Sequence, residues 1–117
     1  MKMKHSLLIL TLIQIAFGIE IDSGSIENAK YKIAIPKNHN GKLLIYAHGL
    51  RQKEAPIIAT LDINRKQNKE ILQKNWIIAT TSYRRNGWII DDAMTDIDSL
   101  YKFITNKYGP INSTWVI

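Results

Sequence analysis

The chain of 117 residues contains no cysteine. That single absence excludes disulfide scaffolds, thiolate metal sites, cysteine nucleophiles and a lipid-modified N-terminal cysteine. Proline and glycine are scarce, at three and six residues, and there is no low-complexity tract or internal repeat. Each proline or glycine therefore reads as punctuation between elements. No apolar run reaches the roughly 20 residues that a membrane-spanning helix needs. The longest, from Leu7 to Phe17, covers about half of that. Clustered charge is also missing. The net charge is +6, but Lys30, Lys32, Lys37, Lys42, Lys53, Lys66, Lys69 and Lys74 are scattered singly. A nucleic-acid interface would gather them into a stripe with stacking aromatics, so the reading is a solvated basic surface with no nucleic-acid partner.

What is present is the composition of one globular domain. The chain is 45% hydrophobic and 22% charged, as ordinary folded domains are, and its length suits one modest unit. The N-terminus has a distinct layout. Lys2 and Lys4 precede the apolar run, and Ala16 and Gly18 are small residues at the spacing a signal peptidase reads. Residues 1–18 are therefore expected to be a secretory signal cleaved after Gly18. The product would be secreted or periplasmic, with residues 19–117 as its domain and no membrane span after cleavage. An uncleaved anchor or a buried N-terminal helix is the competing reading.

Further along, "NAKYKIAIP" (28–36) alternates. Tyr31, Ile33 and Ile35 share one face and Lys30 and Lys32 the other, a half-solvated strand closed by Pro36. Asn40-Gly41 signals a turn, and the strands on either side of it are expected to form an antiparallel hairpin. "KLLIYAHG" (42–49) is apolar at consecutive positions, as strands buried on both faces are. "RKQNKEILQK" is helix-favouring, with Ile71 and Leu72 inward and Asn75 suited to a left-handed helix end. "WIIATTS" (76–82) is a second apolar strand and "YRRNGW" a loop. Ala93, Ile97, Leu100 and Ile104 then fall on one helical face. Asp91 or Asp92 can cap that helix, Asp96 and Asp98 suit its early turns, and Gly109-Pro110 stops it. "STWVI" (113–117) begins a third apolar strand. Strands alternating with helices imply a mostly parallel sheet, here with an antiparallel edge strand.

In that order, three stretches resemble the N-terminal part of the α/β-hydrolase family. "LLIYAHGL" is similar to its third strand and the His-Gly that follows. "WIIATTSYRRNGW" is similar to its fourth strand and Tyr-Arg-x-x-Gly loop. "DDAMTDIDSLYKFI" with "STWVI" is similar to the next helix and fifth strand. The likeness covers most of residues 28–117 and is nearest to secreted esterases and peptidase-like serine hydrolases. It implies an α/β fold and cleavage of an ester or amide through an acyl-enzyme. It implies that Gly49 and Leu50 sit at the oxyanion hole, with the Leu50 amide donated toward it. It implies that His48 orients this loop without acting as the base, and that Arg84 braces the neighbouring loop. Arg85 departs from relatives that carry glycine there.

The family's Gly-x-Ser-x-Gly elbow follows its fifth strand, and no such motif occurs in the chain. The expectation is an incomplete hydrolase domain over residues 19–117 that holds the oxyanion loop and lacks nucleophile, acid and base. Alone it would be inactive; its full-length form would act on a small ester or peptide. The alternative is a small secreted protein of non-catalytic, binding character. No cofactor is implied. The acids from Asp91 to Asp98 have a sufficient explanation in helix capping, so no metal site is expected.

Overall fold

The structure is a computed structural model, and it describes residues 11–16 and 18–117. Its elements follow the order β1 (Thr11–Ala16), β2 (Ile19–Ile26), β3 (Ala29–Pro36), β4 (Lys42–Tyr46), α1 (Lys66–Gln73), β5 (Ile77–Thr81), α2 (Ile90–Tyr108) and β6 (Ser113–Val116). All six strands join one sheet in the order β1-β2-β3-β5-β4-β6. The secretory-signal reading covers β1, which pairs with β2. The remainder of that segment, residues 1–10 and 17, lies outside the described residues.

The sheet corrects the expected mostly parallel arrangement. β1 with β2, β2 with β3, and β3 with β5 are antiparallel; only β4 with β5 and β4 with β6 are parallel. Three of the five pairings are therefore antiparallel, so the sheet is mixed and mostly antiparallel, not a parallel sheet with one antiparallel edge strand. Two physical reasons account for the difference. First, β2 does not look like a strand, because one of its faces carries Glu20 and Asp22 where apolar residues are expected. Second, β5 inserts between β3 and β4. Asn40-Gly41 does turn the chain, with Gly41 at φ 79°, but the strands it joins are not neighbours. The tight hairpin lies earlier, at Glu27-Asn28. Both residues have positive φ, 47° and 71°, as the two central residues of a primed hairpin turn require.

Alternation along the strands divides the core in two. Tyr31, Ile33, Ile35, Leu43, Ile45, Ile77 and Ala79 face α2, where Leu100 and Ile104 pack on them. Ala34 and Ile78 face the other way and pack with Leu61 and with Leu72 of α1. The sheet is thus covered by one helix on each side. β3 is consequently less solvated than its lysines suggest: Lys30 is exposed, but its last four residues are all buried. Asn75 ends α1 with φ 68°, as its sequence position suggests. β6 is an edge strand with Trp115 and Val116 exposed, in place of the buried strand expected from "STWVI".

The carboxylates of β2 have a structural role. Asp22 is fully buried. It accepts from Tyr31 Oη at 3.1 Å and Lys107 Nζ at 2.9 Å, and Tyr108 Oη also hydrogen-bonds to it. Glu20 lies 3.2 Å from the same phenol oxygen. The C-terminal turn of α2 is thereby fastened to β2. Burial, then the hydrogen bond and charge of Asp22, raise the Tyr108 pKa well above its ordinary value.

Candidate functional site

β4 lies between β5 and β6, and the chain reaches β5 through α1 and β6 through α2 on opposite faces. Where connections depart to both sides in this way, the carboxyl ends of the strands leave a crevice between loops. A pocket of about 280 Å³ occupies this position. The loop after β4 (His48 to Arg51) and the loop after β5 (Tyr83 to Trp88) form two walls, and the first turns of α2 form the third.

Its rim is apolar and open. Leu50, Trp88, Ile90 and Met94 all border it, and each is at least 60% exposed. Large apolar side chains gathered around one concavity mark a surface that meets an apolar partner or ligand. Gly49 and Leu50 are exposed, and among the described residues neither backbone amide has a hydrogen-bond acceptor. A Cβ built on Gly49 would meet no atom within 4 Å. The protein itself therefore does not require glycine at this point, and the space beside it is free for a ligand.

The His48 ring does not approach a nucleophile. Its Nε2 lies 3.1 Å from the carbonyl of Ser82 and its Nδ1 lies 2.8 Å from that of Gly49. A neutral imidazole has one N–H, so it donates to one of these carbonyls at a time. Tyr83 completes the clamp. Its hydroxyl donates to the His48 carbonyl at 2.8 Å, and its ring lies 4.1 Å from the imidazole. Tyr83 holds a left-handed backbone, φ 62°, an uncommon conformation for a bulky residue. Burial is the main cause that raises its phenol pKa; the charge of Arg51 opposes the shift and that of Asp96 adds to it.

Arg84 does not line the pocket. It points to α2 and meets the buried Asp96, with Nη2 to Oδ1 at 2.8 Å. Its own backbone amide also donates to Asp96, at 2.7 Å. The hydrogen bond to Asp96, and then its charge, raise the Arg84 pKa. Arg85 does line the pocket and pairs with Asp92 at 2.8 Å. Asp96 is thus a core partner of the loop and not an early-turn dipole residue. Nor do Asp91 or Asp92 cap the helix: Ile89 occupies the cap and makes no side-chain bond.

Residues that the sequence left without a role, or in Asp96 gave a different one, prove central. Tyr83 holds the β4 loop. Asn86 ties the two loops together, its Nδ2 donating to the Ala55 carbonyl at 2.7 Å. The Arg51 carbonyl accepts from the Gly87 amide at 3.1 Å. Asp96 could have been found by its position, since it falls between Ala93 and Leu100 on the inward face of α2.

Among the described residues no serine, base and orienting acid converge. The Ser82 hydroxyl is buried and committed, donating to the Tyr83 carbonyl at 2.7 Å and accepting from the Lys30 amide at 2.9 Å. Among the described residues no three His, Asp or Glu side chains group to hold a metal, and no helix is long and apolar enough to cross a membrane. In comparisons with known proteins, no family model, no curated protein and no solved structure matches the chain.

Proposed function

We propose that the chain supplies the substrate-holding part of a secreted serine hydrolase that cleaves an ester or amide through an acyl-enzyme. One observation carries the reading. Two backbone amides with no internal acceptor, those of Gly49 and Leu50, stand exposed at the mouth of an apolar pocket at the carboxyl ends of the sheet. The acyl group would enter the apolar cavity and its carbonyl oxygen would take the two amides. Preorganised donors of this kind stabilise charge as it develops on oxygen. The clamp of Tyr83 and Ser82 on His48 supports such preorganisation, since it fixes the backbone just before the donors. Arg84 contributes at one remove by holding the second loop on α2. Nucleophile, acid and base would come from residues other than those described. The lack of a converging triad among the described residues favours, as a second reading, a protein that binds acyl ligands without turnover.

The test is an NMR titration of the 15N-labelled protein with hexanoate, whose carboxylate imitates the oxyanion and whose chain imitates the acyl group. The Gly49 and Leu50 amides and the Trp88 indole N–H are expected to shift together. Acetate, which lacks the chain, is expected to bind at least about tenfold more weakly, since each buried methylene contributes about 0.8 kcal/mol. Unmoved Gly49 and Leu50 signals at high hexanoate would overturn the proposal.

A further inference from the structure

β6 lies at one edge of the sheet, beside β4, and among the described residues no strand covers its outer side. Its backbone groups are divided between the two sides. Ile117 donates its amide to the Ile45 carbonyl at 3.0 Å, and its own carbonyl accepts from the Ala47 amide at 2.7 Å. By alternation Ser113, Trp115 and Ile117 bond toward β4, and the N–H and C=O groups of Thr114 and Val116 point outward. Sheet edges in folded proteins are usually blunted by a charge, a proline or a bulge. Residues 113–117 carry neither charge nor proline, and the strand pairs with β4 in an unbroken register. Its large side chains are bare: Trp115 is 59% exposed, Val116 51% and Ile117 60%.

We propose that β6 is a dimerisation strand, pairing antiparallel with β6 of a second copy about a two-fold axis at Trp115 and continuing the sheet across both molecules. The strand is complementary to itself. In that register Thr114 lies opposite Val116 of the second copy, and symmetry repeats the match, so each outward N–H meets an outward C=O. Trp115 meets its own counterpart in the closer, non-hydrogen-bonded type of pair, where aromatic side chains reach each other. Both indoles emerge on the α1 side of the sheet, since Trp115 sits beside Leu44 and Leu44 beside Ile78. Local charge does not oppose the pairing. The strand has none, and Lys42 on the adjoining strand leans the other way, its Nζ 5.6 Å from the centre of the Trp76 ring. A foreign strand would need its own match to the indole; a second copy supplies one by symmetry, and the axis closes the assembly at two. A contact this short is small beside the roughly 800 Å² per partner of a stable interface. The dissociation constant is therefore expected on the order of 100 μM.

The test is sedimentation equilibrium of the whole chain from about 10 μM to about 1 mM, where a reversible monomer–dimer equilibrium is expected. Val116→Pro removes an outward N–H and leaves the ladder to β4 intact. It is expected to weaken the dimer at least about tenfold while the urea midpoint stays close to that of the wild type. Trp115→Lys and Trp115→Asp each set like charges opposite one another across the axis, so each alone is expected to be monomeric. Mixed, the two are expected to form a heterodimer, an outcome that a structural role for Trp115 does not produce. A wild-type chain that stays monomeric throughout the range would overturn the proposal. Growth beyond the dimer would overturn the two-fold, since it requires pairing of unlike edges. A dimer unaffected by Val116→Pro and by Trp115→Lys would assign the contact to another surface. Absence of the heterodimer would overturn the register at Trp115, and this pair of variants decides the matter if Val116→Pro does not fold.

Discussion

Arg84 and Asp96 meet side by side. The guanidinium Nε lies 3.1 Å from Oδ1 and 3.3 Å from Oδ2, and Nη2 lies 2.8 Å from Oδ1. The arginine side chain is one-third exposed and the aspartate side chain 2%. The pair therefore joins a solvent-facing loop to a carboxylate inside the helix-covered core.

Removing the arginine side chain takes the paired cation from that carboxylate and leaves it the backbone amide of residue 84. Arg84→Met is expected to destabilise the fold, by less than breaking a fully buried pair does because the arginine is partly solvated. Urea unfolding measures it. A change under about 0.5 kcal/mol, the range of an ordinary surface substitution, would show that the pair does not hold the loop.

Two glycines should respond in opposite ways. Gly41 has φ 79°, and an added Cβ would lie 2.7 Å from Asn112 Nδ2. Gly41→Ala is expected to cost about 1–2 kcal/mol through backbone strain and displacement of Asn112. Gly49 has open space and no left-handed φ, so Gly49→Ala should keep stability within about 0.5 kcal/mol. Its effect should appear instead as weaker hexanoate binding, because the methyl group occupies the ligand's approach to the amides.

Alkaline pH should weaken the fold through Tyr108. Its folded-state pKa is raised above the ordinary 10.0. Above pH 10 the unfolded chain gives up the phenolic proton while the folded chain keeps it, so stability falls as pH rises from there. Below pH 10 this contribution is fully present. Tyr108→Phe is expected to cost about 1 kcal/mol at neutral pH through the lost hydrogen bond, and to show a smaller alkaline loss than the wild type. Tyr83 is raised in the same direction, so the alkaline loss should shrink without vanishing. Urea midpoints between pH 8 and 11 measure both effects. Identical pH profiles for the two proteins would contradict the assignment.

The clamp on His48 should act on shape. Tyr83→Phe removes the donor to the His48 carbonyl while keeping the ring contact. It is expected to cost about 1 kcal/mol of stability and to broaden the Gly49 and Leu50 amide signals in NMR spectra. Unchanged signals would mean that the loop is held by other means.

The legible parts of the molecule were those where pattern and environment agree. β4, β5 and α2 carry apolar periods that match their burial, and Asn75 and Gly41 mark real turns. The sheet's composition was hidden because β2 places Asp22 against Tyr31, Tyr108 and Lys107. A carboxylate partnered from three sides can be buried, yet in sequence it reads as solvated. The pairing of β3 was hidden because it depends on β5, which arrives more than forty residues later. At the candidate site, His48, Gly49 and Leu50 were visible from the strand they follow. Asn86 and Tyr83 were not, since their importance lies in contacts with the Ala55 and His48 carbonyls that no local spacing reveals.

The insertion of β5 also bears on how the chain reaches its final form. β3 and β4 are joined by a short turn and are free to zip together early, as adjacent strands do within microseconds. Such a hairpin would occupy the slot that β5 fills and would have to open before the sheet closes. A non-native pairing between these sequence neighbours would thus act as a brake on assembly. Substitutions that disfavour β3–β4 contact, without touching either strand's pairing with β5, should speed refolding while leaving the unfolding rate unchanged.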